Sequence, residues 1–451
     1  MKRNDPMILP EAIVQIINAL EKAGFATYVV GGCVRDACLG RKPQDYDLCT
    51  SALPEQTEEV FRNKKLVLAG KKHGTVGVVT DTGVVEITTF RTEGSYRDNR
   101  HPDWVRFVTD VESDLARRDF TVNAMAYSPS RGYADPFGGR EDLQNGILRA
   151  VGDPEKRFQE DSLRILRGVR FAVRFDLQVD AATERAMFSQ AHLMDNVARE
   201  RVFEELCKLL PLVSAEDLIR FAPILAAVIP ELKPMIGFDQ RSPHHAYDLY
   251  THTAQVVAGV PGDLALRWAA LLHDIGKVPT FTVDENGRGH FFDHAAKGAE
   301  MADTILRGLK APNVLREQVV LLIEMHMLWL QPEKKLLRRQ IGRLGLETVY
   351  QILSLQHSDN TNKGTAKSAE TDQYVRILEV LEEIREEDSC LGLKDLAVNG
   401  KDLMEIGYRG RSIGTMLNWL LDQVMEETLP NERDVLLAWA KGLWIAACQN
   451  S

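Results

Sequence analysis

Val29-Val30-Gly31-Gly32-Cys33-Val34-Arg35-Asp36 runs from a β-branched stretch through two glycines into a segment with helical spacing, and Asp45-Tyr46-Asp47 follows. Glycines at such a turn let the backbone approach a phosphate group at a helix N-terminus, and Arg35 adds a positive charge there. If the second segment is extended, Asp45 and Asp47 project from one face. Adjacent carboxylates are costly unless a cation neutralises them. Paired Mg²⁺ ions could do so while activating an attacking hydroxyl and steadying a leaving phosphate oxygen. Glu86, on a neighbouring β-branched run, is the candidate third carboxylate. Either motif alone reads as an ordinary turn; their succession points to phosphate chemistry.

Outward from these motifs the first third of the chain reads as mixed α/β. Residues 10–23 carry helical apolar spacing and stop at Gly24, and 26–30 reads as a buried strand. Residues 76–80 and 84–90 are β-branched runs joined by Asp81-Thr82-Gly83, a hairpin signal. A further strand is expected at 105–108, with 121–127 continuing the sheet. After about residue 150 apolar residues recur at helical spacing to the end, with breaks near 232–243, 359–367 and 391–400. The expected class is α+β: a mixed-sheet head on a predominantly helical body.

The chain has 451 residues, 44% apolar and 27% charged, an ordinary globular balance. Its net charge of −10 excludes a histone-like positive coat, though a local basic groove can sit on an acidic protein. No apolar run approaches the roughly 20 residues of a spanning helix, so no membrane partner is expected. The opening MKRNDPMILPEAIVQI lacks a continuous apolar core and a small-residue cleavage site, and no signal peptide is expected. Six sparse cysteines (Cys33, Cys38, Cys49, Cys207, Cys390 and Cys448), none in a CxxC pair, suit a reduced, cytoplasmic protein. Nothing in the sequence specifies an oligomeric state.

The head motifs continue through Val85-Glu86-Ile87-Thr88-Thr89-Phe90-Arg91, then Asp114-Leu115-Ala116-Arg117-Arg118-Asp119-Phe120-Thr121-Val122-Asn123-Ala124-Met125-Ala126, then Glu160-Asp161-Ser162-Leu163-Arg164-Ile165-Leu166-Arg167-Gly168-Val169-Arg170-Phe171. These five ordered blocks resemble the nucleotidyltransferase superfamily, specifically bacterial-type (class II) CCA-adding enzymes and poly(A) polymerases. The resemblance implies that Gly32, Arg35 and Arg118 contact the nucleotide, that Asp45 and Asp47 hold Mg²⁺, and that Asp119 and Asn123 order the sugar region. It further implies that Asp161 and Arg164 read the base, and that Arg167 and Arg170 hold nucleotide phosphates or RNA. The base reading has independent chemical sense. On a helix, residues three apart point to one place. A carboxylate accepts from the exocyclic amine of C or A and a guanidinium donates to the adjacent ring acceptor, whereas U and G present the opposite polarity. Arg164, Arg167, Arg170 and Arg174 share one helix side, a stripe expected to bind phosphate.

Arg91-Thr92-Glu93-Gly94-Ser95-Tyr96-Arg97-Asp98-Asn99-Arg100-His101-Pro102 resembles the loop of family members that add all three nucleotides. The implied activity is template-free addition of C, C and A to a tRNA 3′ end from CTP and ATP. The alternative within the family is poly(A) polymerase, which shares the head but commonly carries a long basic tail not seen here. A second alternative is a phosphohydrolase whose head only binds nucleotide.

Leu271-Leu272-His273-Asp274-Ile275-Gly276-Lys277 resembles the HD phosphohydrolase signature. An adjacent His and carboxylate can bind one divalent ion, with His252 and Asp359 closing the set and His294 and His326 completing a second position. The identity of that divalent metal is open, and a bound ion would activate water against phosphoesters such as 2′,3′-cyclic phosphates, 2′-phosphates or small phosphomonoesters. The resulting division is a nucleotidyltransferase head (1–147), a helical neck (148–245), an HD domain (246–365) and a C-terminal helical region (366–451). Residues 398–414 resemble the tail of HD-bearing members. An amphipathic helix is expected over 414–425, and Arg409, Arg411 and Arg174 are candidate RNA contacts.

Overall fold

The computed structural model describes residues 6–94, 105–243, 246–364, 368–387, 392–426 and 428–449. They fall into two compact units, residues 1–213 with 220–233, and 214–219 with 234–451. The expected head and most of the expected neck lie together in the first unit.

That unit is built on a seven-stranded mixed sheet. The first five strands are β1 (Thr27–Val30), β2 (Asp47–Thr50), β3 (Leu66–Val67), β4 (Thr75–Thr80) and β5 (Gly83–Thr89). A separate antiparallel ribbon pairs β6 (Arg91–Glu93) with β7 (Val105–Phe107), and β8 (Ala126–Ser128) and β9 (Gly132–Ala134) complete the main sheet. Its order is β3-β4-β5-β2-β1-β8-β9. Only β2 and β5 run parallel; the other neighbours are antiparallel. Alternation explains the pairing: Val85, Ile87 and Thr89 are buried while Val84 and Glu86 face out. The hairpin closes at Asp81-Thr82, with Gly83 at φ +128° and the Thr80 hydroxyl donating to the Gly83 carbonyl. Residues 121–123 depart from the expected sheet by forming a 3₁₀ turn before β8.

Val30, Cys49, Phe90, Leu115, Ala124, Ala126 and Val151 form a core beneath this sheet. The helix Leu163–Phe175 is buried on most of its circumference, through Leu163, Ile165, Leu166, Val169 and Phe175 among others, and Arg199–Leu209 packs against it. It ends where Asp176 adopts φ +53°.

The second unit is almost wholly helical. Asp248 and Asp263 cap the helices Leu249–Gly259 and Leu264–Leu272 through their side chains, and Trp268 is fully buried. His294–Gly308, Asn313–Met325, Leu346–Thr361 and Ser368–Glu386 follow. Toward the C-terminus Arg411–Met425 covers the expected amphipathic segment and buries Leu420, Leu421 and Met425. Among the described residues no helix is long and apolar enough to cross a membrane.

Gly276 sits where two helices meet. A Cβ there would lie 2.2 Å from the His294 carbonyl oxygen and 2.5 Å from the Gly298 nitrogen. Because both opposing atoms are backbone, Gly276→Ala is expected to lower unfolding free energy by about 1–3 kcal/mol, read as a reduced urea midpoint.

Candidate functional site

In the first unit, Gly31 occupies the turn between β1 and the helix Gly32–Cys38 at φ +75°. A Cβ at Gly31 would lie 2.9 Å from the Arg118 guanidinium, so glycine is required by both backbone and space. Gly32 follows, its Cβ direction facing Arg35 at 3.5 Å. Asp47 begins β2 opposite Val30, one step before the Leu48–Ile87 pairing with β5, so Asp47 and Glu86 are lateral neighbours on one face.

Asp45, Asp47 and Glu86 are exposed, and none makes an ion pair among the described residues. The protein crowding the Asp47 carboxyl raises its pKa even though the residue keeps an open face; the Glu86 and Asp45 charges add to this and Arg118 opposes it. An uncompensated carboxylate group of this kind suits a divalent cation. Glu86 does not, however, close a tight cluster. Among the described residues the groups of three or more ligands with atoms within 4.8 Å of one another are all in the second unit.

The rest of the head site is a charge network. Asp119, buried, accepts from the Phe120 amide at 2.8 Å, from Asn123 Nδ2 at 3.1 Å, and from Arg167 Nε and Nη2 at 2.9 and 2.6 Å. Asn123 Oδ1 in turn accepts from Arg35 Nη1 at 2.5 Å. Arg35 is itself buried, paired with Asp36 at 2.8 Å and stacked 4.2 Å over Phe175. Its donors therefore brace the turn. Arg118 is half-buried, with Nη2 3.5 Å from the fully buried Asp114. Asp114 also accepts from Arg117 and from the Arg91 amide, a role that its place within a quoted block did not disclose.

Two expectations about the neck need correction. Asp161 is not on the helix with Arg164: it lies in the break between Pro154–Glu160 and Leu163–Phe175, at φ −145°. Its carboxylate caps the Leu163 amide and takes a two-point contact from Arg201 at 3.2 and 2.8 Å. Arg164, buried, instead reaches Glu160 at 2.7 Å and the carbonyls of Arg157 and Arg117. The argument from helical spacing therefore fails, and the two groups sit in different networks. Nor is the arginine stripe a bare basic face. Arg167 bridges Asp119 and Glu205, and buried Arg170 meets Glu205 at 2.5 Å. Arg174 is exposed with its guanidinium 5.3 Å over Phe175. Arg201 and Glu205, both from Arg199–Leu209, escaped sequence reading because a contact between distant helices leaves no periodic trace.

The second unit brings the six expected ligands together. His252, His273, Asp274 and Asp359 form one group, and Asp274, His294 and His326 another. Each histidine's Nδ1 lies 2.6–3.1 Å from a backbone carbonyl, of Asn362, Ala270, Phe291 and Ile323 respectively. A carbonyl only accepts, so Nδ1 carries the proton and a neutral ring turns its Nε2 lone pair inward. His294 Nε2 and His326 Nε2 face each other at 3.3 Å. Burial holds His326 down to about 4 and lowers His294 as well, so these two Nε2 atoms are bare acceptors near neutrality. Buried His273 Nε2 and Asp274 Oδ2 lie 3.2 Å apart without a well-aimed hydrogen bond, and Lys277 Nζ stands 2.7 Å from that oxygen. Converging lone pairs and a buried carboxylate fit one or two divalent ions.

Residues 95–102 of the family-like loop lie outside the described residues, as does Cys390. Arg409 donates to the Met404 and Tyr408 carbonyls and so closes the helix Gly400–Ile406, whereas Arg411 is exposed.

The Asp119 network yields a pH signature. Burial pushes its carboxyl up, yet Arg167 and Asn123 outweigh burial and hold it at about 2. A depressed folded pKa stabilises above the unfolded value near 4 and ceases to do so as pH falls through the folded value. Asp119→Asn is therefore expected to cost about 2 kcal/mol at pH 7, the deficit closing between about pH 4 and pH 2. Urea unfolding across that range would refute the assignment if the deficit stayed constant.

Comparison with known proteins places this geometry in a lineage. The family described as Poly A polymerase head domain matches residues 27–149, and those described as RNA and SrmB- binding site of polymerase A and tRNA nucleotidyltransferase domain 2 match 176–235 and 290–440. A CCA-adding enzyme of Bacillus velezensis is 31% identical over 432 residues, covering 94% of this chain and 96% of that one. One of Streptococcus suis is 33% identical, covering 98% and 99%. Among solved structures, the Bacillus stearothermophilus CCA-adding enzyme in complex with CTP superposes with a TM-score of 0.68 at 29% identity, covering 98% of this chain and 100% of that one. The Thermotoga maritima CCA-adding enzyme complexed with tRNA shares the fold, with a TM-score of 0.56 at 20% identity, covering 97% of each chain. On this full-length similarity, the chain belongs to the family of CCA-adding enzymes.

Proposed function

We propose that the protein adds C, C and A to tRNA 3′ ends from CTP and ATP, without a nucleic-acid template, and acts in the cytoplasm. The observation that carries the reading is the grouping of Asp47, Glu86, Arg118 and the Gly31 turn in one head, in a chain matched end to end by CCA-adding enzymes. Asp45 and Asp47 would hold Mg²⁺, with Glu86 beside them. When bound, the metal supplies charge neutralisation for the attacking 3′-hydroxyl and the departing phosphate. The hydroxyl oxygen bonds to the α-phosphorus and gives up its proton to water, the bond from that phosphorus to the bridging oxygen of the β-phosphate breaks, and pyrophosphate leaves. Arg118, which lies against the glycine turn and lowers the Asp47 pKa, would bind the triphosphate, with Gly31 and Gly32 keeping the approach clear. Asp119 and Asn123 brace that wall.

Base selection by Asp161 and Arg164 requires both to exchange protein partners for the base. Arg201 must yield Asp161's acceptors, and Glu160 must yield Arg164's donors. Arg167 and Arg170 then act mainly by holding this helix in place, and Arg174 and Arg411 keep exposed charge for RNA.

The His/Asp cluster supports a second reading, a divalent-metal phosphohydrolase of the HD kind acting on phosphorylated ends. The inward Nε2 atoms and buried Asp274 carry it. Water's oxygen would bond to phosphorus while the ester oxygen departs with the proton.

A tRNA transcript lacking CCA, incubated with Mg²⁺ and CTP, is expected to gain two nucleotides, and with CTP and ATP three and no more. A long ladder with ATP alone would make the protein a poly(A) polymerase instead. Asp47→Asn is expected to slow addition by about 10³-fold or more while leaving phosphoester hydrolysis intact. Conversely, Asp274→Asn should abolish bound divalent metal and hydrolysis and spare CCA synthesis; loss of both activities in a folded protein would overturn the two-site reading.

A further inference from the structure

Phe175, at the C-terminal end of the helix Leu163–Phe175, is ringed by cations. The guanidinium carbons of Arg35, Arg41 and Arg174 lie 4.2, 5.3 and 5.3 Å from its ring centre. Phe175 also stacks on Phe171 at 6.1 Å and 23°, and Arg167 lies 5.2 Å from that second ring. Guanidiniums and rings thus form one ladder, running from the buried Asp119 network out to solvent. Its inner members are neutralised, Arg167 by Asp119 and Glu205 and Arg35 by Asp36. Its outer members are not. Arg41 and Arg174 are exposed, as is the neighbouring Lys42, and none of the three makes an ion pair among the described residues.

Like charges gathered at one ring repel. The negative face of the ring offsets part of that repulsion, and solvation accounts for any one of these side chains. It does not account for their gathering in a chain whose net charge is −10. Arg41 and Arg174 each stand 5.3 Å from the same ring centre, so they are separated by at most twice that distance and can bracket one phosphate. Arg41 and Lys42 also line a recess of about 530 Å³ with Met7, Ile8, Pro43 and Tyr46, and Ile8 is 91% exposed. A recess of that size admits a nucleobase, and exposed cations beside an apolar wall are what an unpaired nucleic-acid strand requires. Tyr46 stands between Asp45 and Asp47 in the chain, which puts the recess next to the carboxylates where such a strand must end.

We propose that Arg41, Lys42 and Arg174 bind backbone phosphate of the unpaired 3′ strand of the RNA, and that the adjoining recess takes one of its bases. The inference rests on the CCA-addition reading and deepens it, for it names the surface along which the tRNA end reaches Asp45 and Asp47. Contacts to phosphate and to an apolar wall carry no base code, so this surface accepts the end before and after each addition.

The test follows a tRNA transcript lacking CCA on the full chain, by steady-state extension with CTP and by fluorescence anisotropy across a range of salt concentrations. The double variant Arg41→Gln/Lys42→Gln is expected to raise the tRNA KM about tenfold and to flatten the logarithmic salt dependence of tRNA affinity by about 1.4, the value for two contacts to a single strand. Its kcat at saturating tRNA and its CTP KM should not change. Ile8→Glu, which sets a carboxylate at the recess by altering an exposed side chain, is expected to weaken tRNA binding about fivefold, and Ile8→Gln to leave it unchanged. Lys64→Gln/Lys65→Gln removes the same charge from exposed positions elsewhere in the first unit and should alter neither tRNA KM nor salt dependence. Equal losses in the two double variants would make the effect one of net charge and overturn the patch, as would a raised CTP KM with tRNA affinity intact. Undiminished tRNA affinity in Ile8→Glu would overturn the recess. If the unsubstituted protein extends no tRNA, the CCA-addition reading itself fails; extension by that protein, with tRNA binding unaltered in Arg41→Gln/Lys42→Gln, overturns this inference alone.

Discussion

The first unit depends on one buried anion. Asp119 joins three parts of the chain that sequence places far apart: its own 3₁₀ turn through the Phe120 amide, the glycine turn through Asn123 and Arg35, and the neck helix through Arg167. A carboxylate taken out of water is tolerable only when its lone pairs are filled, and here donors reach both oxygens. The geometry of the glycine turn and the placement of the helix Leu163–Phe175 are therefore set by the same group. The second unit has a comparable device of opposite sense. Four backbone carbonyls each take a histidine Nδ1 proton, and so fix which nitrogen faces inward. In one site donors satisfy an anion; in the other, acceptors are gathered and left for a cation.

Much of this was legible in the chain, for reasons that can be stated. The β4–β5 hairpin followed from period-two burial and a turn sequence, and the strand–glycine–helix element from residue types that tolerate few other uses. The six cluster residues were legible because a short His-Asp signature anchors them and histidines are scarce. What escaped was pairing between helices. Asp161 looked like a helical partner of Arg164 because spacing alone cannot reveal a break at residues 161–162. Arg201 and Glu205 look like ordinary charges on an amphipathic helix, yet they decide which charges near the neck are free. The Thr121–Asn123 turn was read as strand because its apolar content matches that of the sheet it interrupts.

Similarity spans nearly the whole chain, the second unit included. The ligand set gathered there has a cost in packing. Gly276 must stay without a side chain for the His294 helix to approach His273 and Asp274.

The matched charges along Leu163–Phe175 have a consequence for ionic strength. Read from sequence, four arginines on one helix side would each displace a counterion from bound RNA and make affinity fall steeply with added salt. In the folded protein Arg164, Arg167 and Arg170 already have carboxylate partners from Glu160, Asp119 and Glu205. These short internal pairs are shielded from the bulk electrolyte, leaving Arg174 as the one member of the row that answers to it. The salt response of RNA binding therefore counts far fewer charges on this helix than its composition suggests.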